Sequence, residues 1–397
     1  MLHRRLRLLL YVSYSQLLLY GLLPATLHAS DGNVRLSKVS AGYLIYSICP
    51  ALFLLLETPF MMASGLFGAY MRNNIVLQWG QMLTLSLRSV AVLSCYGVVW
   101  LHRRRLIQLY ADFLQRWQAH WPTLCRVNGA KALERMQLEL AGQMLRLLCV
   151  NYSMVFFSLL MQYRLAAKAS LLYLLFRTAS MLMLSAERVA FITLLLLLNH
   201  QFRAVQLALQ ALSRGAGSRC SQADLRRIAD IHNDWLRLAR RFFSIHDLAN
   251  ASIFANMFAV NVNILYHAVQ FGNKTIKSNY VDIIMGEALV SLNIWNSVVV
   301  MNLLDTTLRS CNYSALLLRQ FNDLPRLSPE SQRELELFAN RLRNNRLVYR
   351  ICSCVTLDKP ACLSYMSAVL THVIVLMQFD LKRRHEQGLQ YDDFFKE

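Results

Sequence analysis

Long apolar stretches recur along nearly the whole chain, and they constrain its fold more than any other feature of the sequence. Eight can be marked, at residues 8–27, 41–65, 79–101, 144–163, 171–198, 248–271, 281–303 and 360–379. A helix needs about 20 predominantly apolar residues to cross the hydrocarbon core of a bilayer. With 55% hydrophobic residues, the chain is too apolar for an ordinary soluble globule. We therefore predict an all-α, polytopic membrane protein.

Basic residues in the connections between these stretches predict the orientation of the chain. The formal net charge is +19, and many of the arginines lie in three long connections, at residues 102–143, 199–247 and 304–359. The sequence contains no compact basic module of the kind that binds nucleic acid, so no nucleic-acid partner is expected. The positive-inside rule instead places all three connections in the cytoplasm.

This placement has a consequence for the first apolar stretch. The N-terminal arginines also belong inside, which is consistent with the three inner connections only if residues 8–27 do not cross the membrane. That stretch is interrupted by Gln16, Gly21 and Pro24, so we predict an interfacial or re-entrant helix. The prediction is therefore seven transmembrane helices, with the N-terminus inside and the C-terminus outside.

The inner connections contain amphipathic helical patterns. Apolar residues recur at steps of three and four at Leu225, Ile228, His232, Trp235, Ala239 and Phe242, and again at Leu335, Phe338, Leu342 and Tyr349. The first pattern predicts a helix that runs on toward the sixth stretch. Ser328, Pro329 and Glu330 predict the start of the second helix. Such apolar seams need either the membrane surface or each other, and we favour self-assembly into a cytoplasmic helical bundle.

No motif of a known enzyme class is present, so no catalytic residue, cofactor or metal site is expected. The pair Cys352 and Cys354 is too isolated to bind a metal.

Ionisable residues in the apolar stretches are candidates for function. Glu57 lies near a predicted helix end, where a charged side chain ordinarily reaches the interface. Glu187 and Glu287 are the candidates for ligand contact, with a structural ion pair or a hydrated helix end as the alternative. Of the four N-x-S/T sequons, only Asn273 falls in a predicted outward loop, where it could be glycosylated.

The last apolar stretch carries a stripe of polar residues. Thr371 and Gln378 are seven residues apart, almost two helical turns, so they share one face, and Ser364 and Ser367 extend that face. Such a stripe could line a narrow aqueous path. It could equally hydrogen-bond to another helix in a sealed bundle.

The same stretch resembles the hallmark of the insect gustatory receptor family, which is related to the insect odorant receptors. That hallmark is Thr-Tyr, five mostly apolar residues and Gln-Phe. Here it reads Thr371-His372, Val373 to Met377, then Gln378-Phe379, and Leu357 and Asp358 match the family pattern upstream. His372 departs from the family tyrosine. A histidine at this position suggests gating that is sensitive to pH.

The resemblance implies a tastant-gated, nonselective cation channel assembled as a tetramer of identical or related subunits in the lipid bilayer. Its last helix would line the pore at Ser364, Ser367, Thr371 and Gln378. We expect it in the plasma membrane of chemosensory neurons, in the dendrite, and we favour bitter or aversive ligands because such receptors are the most numerous in the family. The alternatives are a receptor that signals through a G protein and a membrane transporter.

The resulting prediction divides the chain into seven parts. They are a cytoplasmic N-terminus with an interfacial or re-entrant helix (1–40), the first four transmembrane helices as the ligand-binding bundle (41–198), a cytoplasmic helical loop (199–247), the fifth and sixth transmembrane helices (248–303), cytoplasmic anchor helices (304–359), the pore-lining seventh helix (360–380) and an extracellular tail (381–397).

Overall fold

The computed structural model describes residues 3–30, 33–38, 40–59, 75–165, 171–215, 222–272, 280–321 and 328–386. Within these residues the elements are α1 (Arg4–Leu19), β1 (Ala25–Ser30), β2 (Asn33–Lys38), α2 (Ala41–Leu55), α3 (Ile75–Leu101), α4 (Arg103–Asn128), α5 (Ala130–Leu165), α6 (Leu171–Gly215), α7 (Gln222–Gly272), α8 (Tyr280–Leu317), a 3-10 turn (Leu318–Phe321), α9 (Pro329–Asn344), β3 (Arg350–Ile351), β4 (Val355–Thr356) and α10 (Lys359–Glu386).

Seven segments of the described chain are long and apolar enough to cross a membrane. They are Ala41–Pro59, Ile75–Leu101, Ala130–Leu160, Thr178–Ser213, Gln222–Gln270, Glu287–Leu317 and Lys359–Arg383. The predicted seven-helix membrane fold is therefore confirmed. Helix α1 is not among the seven and has 16 residues, fewer than the roughly 20 that a span needs. Its position at the membrane interface stays a prediction.

Helices α6 and α7 are much longer than a membrane span, with 45 and 51 residues. The predicted continuation of the Leu225 to Phe242 pattern into the sixth apolar stretch is confirmed, because both belong to the unbroken helix α7. Outside the most apolar parts of these helices lies a densely packed core whose largest buried side chains include Trp235, Phe202 and Phe242. An aromatic side chain of this size buries about 150–250 Å².

Helix α9 begins where the sequence predicts. The hydroxyl of Ser328 accepts a hydrogen bond from the backbone N–H of Ser331 at 3.3 Å, and Pro329 occupies the first turn. Its apolar seam is buried against α7, with the ring of Phe338 5.7 Å from that of His232. The two predicted seams therefore pack on each other inside one chain. They are not available to hold one subunit against another.

In the part of the chain that the structure describes, two short antiparallel hairpins interrupt the helices, and neither was predicted from the sequence. Strands β1 and β2 pair from Ala25 opposite Lys38 to Ser30 opposite Asn33, and β3 pairs with β4. The first hairpin had a usable signal, since Asp-Gly at residues 31–32 is a strong hairpin dipeptide. The second has only two residues in each strand, too few to produce an alternating pattern.

Candidate functional site

The last helix, α10, is the least buried of the seven candidate spans. Only 11% of its most apolar 18-residue window is buried, and its exposed apolar side chains include Leu363, Leu370, Ile374 and Phe379. Exposed residues on a membrane helix must face lipid, another chain or water. Most of the surface of α10 therefore contacts lipid, water or another chain.

The four predicted stripe residues all lie on this exposed surface. Ser364, Ser367, Thr371 and Gln378 are each exposed. The Thr371 hydroxyl donates to the carbonyl oxygen of Ser367 at 2.9 Å, and the Ser364 hydroxyl donates to that of Pro360 at 3.3 Å. These bonds occupy the hydroxyl hydrogens and leave the oxygen lone pairs available. The stripe can thus offer acceptors to a partner, to water or to a cation.

The upstream family residues have structural positions at the start of α10. Leu357 is buried in the main core, and the Asp358 carboxylate accepts the backbone N–H of Ala361 at 2.8 Å. A carboxylate in this position caps a helix and complements the positive end of its dipole. The Leu357 and Asp358 pair therefore fixes where α10 begins and ties that point to the core.

A narrow strip of α10 packs against the rest of the chain, and most of that contact is with α7. Val369 and Val373 are buried against Val262 and Tyr266 of α7 and against Leu77 of α3. These valines lie on the face opposite the polar stripe. One face of α10 therefore belongs to the fold of the subunit, while the polar face is left free of it.

Two polar contacts flank this apolar strip. The Asn261 side-chain amide donates to the Tyr365 hydroxyl at 2.8 Å, and the Gln270 amide donates to the Asp380 carboxylate at 3.0 Å. A buried polar group in an apolar region is costly unless it is paired, so these contacts specify one register between α7 and α10. His372 lies between them, with its ring edge-on to Phe258 at 5.2 Å and its Nδ1 2.7 Å from the Ala368 carbonyl oxygen.

The polar contacts continue from α7 to two further helices. Asn261 also donates to the hydroxyl of Ser297 on α8 at 3.2 Å, and the neighbouring Asn263 donates to the amide oxygen of Gln81 on α3 at 3.2 Å. Helix α7 is thus hydrogen-bonded to α3, α8 and α10 within three residues of its own length. Asn261 and Asn263 therefore connect α3, α8 and α10 through one short stretch of α7.

These residues were not predicted as functional, although the sequence carries a signal for them. Asn261, Asn263 and Gln270 are amides within an apolar stretch, and an amide buried there requires a partner. What the sequence did not supply was the partner. Asn261 and Tyr365 are separated by 104 residues.

The two candidate ligand contacts have different surroundings. Glu187 is buried, and its carboxylate lies 3.8 Å from Nδ1 of His246. Together they border a narrow cavity that also touches Tyr110 and Leu17 and has room for about one water molecule. Glu287 is exposed. The structure does not bring the two carboxylates into one site.

Glu57 differs from its expected position at the interface. It is buried, and its carboxylate is 2.8 Å from a guanidinium nitrogen of Arg88, which is itself buried. The expectation of an interfacial side chain was wrong because Arg88, 31 residues away, supplies an opposite charge inside the protein. The pair ties the first candidate span to α3.

The sequon asparagines can be placed in part. Asn151, Asn250 and Asn312 are hydrogen-bonded within the fold, to Ser185, Tyr349 and the backbone of Leu347 respectively. Asn273 lies outside the described residues, so its glycosylation stays a prediction.

Comparison with known proteins gives the chain a family. A family model described as "7tm Chemosensory receptor" matches residues 7–383. Gustatory receptor 58b of Drosophila melanogaster is 42% identical over 391 residues, covering 97% of this chain and 96% of the relative. Gustatory receptor 58a of the same species is 29% identical over 395 residues, covering 92% and 96%.

A solved structure has a similar fold. The insect olfactory receptor OR5 from Machilis hrabei, in complex with eugenol, matches with a TM-score of 0.63 at 16% identity, covering 94% of this chain and 98% of that chain. At this level of identity the match establishes the fold alone. Together with the family match over nearly the whole length and the close gustatory relatives, it leads to one conclusion. The chain belongs to the insect chemosensory receptor family and, within it, to the gustatory receptors.

Proposed function

We propose that the protein is a subunit of a tastant-gated, nonselective cation channel. The observation that carries this proposal is the exposed polar stripe of α10, a membrane-length helix that the rest of the chain leaves largely uncovered. Four copies of α10 around one axis would cover these surfaces and enclose a path lined by Ser364, Ser367, Thr371 and Gln378. The subunits would be identical or related chains, assembled in a lipid bilayer.

The chemistry of the stripe supports a path for cations. Because the Ser364 and Thr371 hydroxyls donate to their own helix, their oxygens present lone pairs outward. Hydroxyl and carboxamide oxygens can replace part of the hydration shell of a cation without binding it tightly. The stripe carries no formal charge, which suits a channel that admits several cations.

Gating requires a ligand to favour the open state over the closed one. The similar olfactory receptor is described in complex with eugenol, so we infer a small-molecule ligand here as well. We place its pocket in the bundle of residues 41–198, on the outer side, and favour bitter or aversive compounds. Helix α7 would transmit the change, since it is hydrogen-bonded to α3, α8 and α10.

The proposed orientation puts the N-terminus and the three basic connections inside, and residues 381–397 outside. Helix α9, within residues 304–359, would then contribute to a cytoplasmic anchor through faces other than its buried seam. The protein would function in the plasma membrane of chemosensory neurons, in the dendrite.

Cysteine substitution tests whether the stripe faces water. In the assembled protein, Thr371→Cys and Gln378→Cys should react with a charged, water-soluble thiol reagent above the wild-type background. Val373→Cys, buried on the opposite face of the same helix, is the matched control and should not react. Unreactive cysteines at both stripe positions would place the stripe against lipid or protein and contradict the pore assignment.

Electrical recording tests the function itself. In cells that express this chain alone, a panel of bitter compounds should evoke a fast cation current that persists when G proteins are blocked. Gln378→Leu should change conductance or gating while leaving the amount of protein at the surface unchanged. A current that requires a G protein would favour the G-protein-coupled alternative, and solute uptake without channel currents would favour a transporter.

A further inference from the structure

The β3–β4 hairpin, which joins α9 to α10, presents two cysteines just before the last membrane span. The connection between its strands is Cys352-Ser353-Cys354. The backbone angle φ is 47° at Cys352 and 60° at Ser353, values that residues other than glycine seldom adopt. The backbone N–H of Cys352 donates to both carboxylate oxygens of Asp247 on α7, at 3.0 and 3.1 Å. The turn is thus fixed to the body of the subunit by its backbone, not by its thiols.

Both cysteines are exposed and neither forms a disulfide, while the Cys354 thiol donates to the carbonyl oxygen of Cys352 at 3.2 Å. Beside them, Val348 and Val355 expose 60% and 54% of their surface, and Arg350 and Lys359 are also exposed. Lys359 is the first residue of the candidate span Lys359–Arg383. This surface combines exposed valines with basic side chains at the start of a span. Such a combination suits contact with the anionic inner leaflet.

The surroundings of Cys352 disfavour a redox role for this residue. Partial desolvation, and then the nearby Asp247 carboxylate, raise the pKa of the Cys352 thiol above its ordinary range. Since the thiolate is the form that oxidises, a raised pKa makes spontaneous oxidation slow. A thiol of this kind reacts when an enzyme activates it. Cysteines immediately next to a membrane span are the usual acceptors of reversible S-acylation.

We propose that Cys352 and Cys354 are a site of reversible S-acylation by a long-chain acyl group. In the reaction the cysteine sulfur attacks the carbonyl carbon of a long-chain acyl-coenzyme A. A new thioester bond forms as the bond to coenzyme A breaks, the thiol proton passes to the coenzyme A thiolate, and no oxidant is consumed. The proposal rests on the cytoplasmic orientation of the hairpin in the proposed function. Acyl chains here would hold the link between α9 and α10 on the inner leaflet.

Acyl exchange on the full chain expressed in insect cells tests the site. Free thiols are blocked, thioesters are cleaved with neutral hydroxylamine, and each released thiol is tagged with a polymer that retards the protein on a gel. Wild type should show one or two hydroxylamine-dependent shifts, and the C352S/C354S double variant should lose them. Two controls should keep the wild-type pattern, Cys49→Ser, exposed but within a span, and Cys125→Ser, half-buried in α4.

Three outcomes would overturn the proposal. They are the absence of any shift in wild type, an unchanged pattern in C352S/C354S, and tagging of the hydroxylamine-treated hairpin by a membrane-impermeant reagent before the cells are permeabilised. Gel-filtration profiles of the variants, together with the single C352S and C354S variants, separate loss of acylation from loss of folding. Ligand-evoked currents from a protein that carries no acyl group would remove this proposal and leave the channel proposal intact.

Discussion

Helices α6 and α10 both contain candidate membrane spans, yet they differ greatly in how much of each is buried by the rest of the chain. In the most apolar window of α6, 78% of the residues are buried, whereas the corresponding share of α10 is 11%. Mean hydropathy does not predict this difference, since the two windows score 2.0 and 1.7. What differs is the contacts around them. Helix α6 is surrounded by its own chain, while α10 is attached along one strip.

The two helices illustrate two kinds of contact: those that stabilise the subunit and those that set the position of one helix within it. Contacts of α6 hold the subunit together, so they should be insensitive to assembly. The few contacts of α10 set its position relative to α7, and a helix held by two polar contacts and a strip of valines can shift at moderate cost. Elements that move in switching are drawn from the less stable parts of a fold.

The largest expected effect contrasts matched truncations in the two helices. Leu195 of α6 is 0% exposed, and Leu363 of α10 is 75% exposed. Leu195→Ala should destabilise the subunit by about 2–5 kcal/mol, because it removes buried methyl groups and leaves a cavity. Leu363→Ala should change stability by no more than about 0.5 kcal/mol. Thermal unfolding of the purified protein, followed by fluorescence-detected gel filtration, measures both. Equal losses from the two truncations would break the comparison.

An intermediate effect is expected at the contact between α7 and α10. Tyr365→Phe removes the hydroxyl that accepts from Asn261 and keeps the ring. Because a hydrogen bond contributes about 1 kcal/mol, the half-maximal ligand concentration should shift by up to about fivefold while the surface amount stays the same. Tyr313→Phe, on a tyrosine that is 47% exposed in α8, is the control and should match wild type. A gating curve unchanged by Tyr365→Phe would show that this contact does not differ between states.

The smallest expected effect is a pH dependence of the melting temperature that arises at His120, away from α10. His120 of α4 lies 3.3 Å from Asp234, and burial lowers the pKa of its imidazole below the ordinary value of 6.5, against the opposing effect of Asp234. A lowered folded-state pKa contributes stability above pH 6.5 that is lost as the pH falls through the folded-state value. The melting temperature should therefore drop slightly from pH 7.5 to 5.5, and by less in His120→Gln. An equal drop in the variant would assign the pH dependence to other groups.

Features that repeat along the chain were predictable from sequence. The length of the apolar stretches predicted the seven spans, and the spacing of apolar residues from Leu225 to Phe242 predicted the inner part of α7. Ser328 and Pro329 gave the start of α9, because a cap is local chemistry. The spacing of the α10 stripe residues also predicted that they share one face, but it did not predict whether that face is exposed or packed on another helix.

Pairings between distant residues were not predictable. Glu57 looked like an interfacial side chain until Arg88 was placed beside it, and Asn261 gave no indication of Tyr365. A single sequence records that a buried charge or amide needs a partner, and it does not record which residue across the fold provides one. The same limit left the Cys352 turn unrecognised, since its tie to Asp247 joins residues 105 positions apart.

Helix α7 is a single rod of 51 residues, roughly 76 Å from end to end at the rise of an α-helix. The structure gives it no internal break, so it cannot absorb a rotation at one end by bending sharply at a hinge. A tilt of a few degrees at one end therefore carries the other through several ångströms. In the proposed channel, small movements around a bound ligand would be amplified by leverage before they reach the far side of the bilayer.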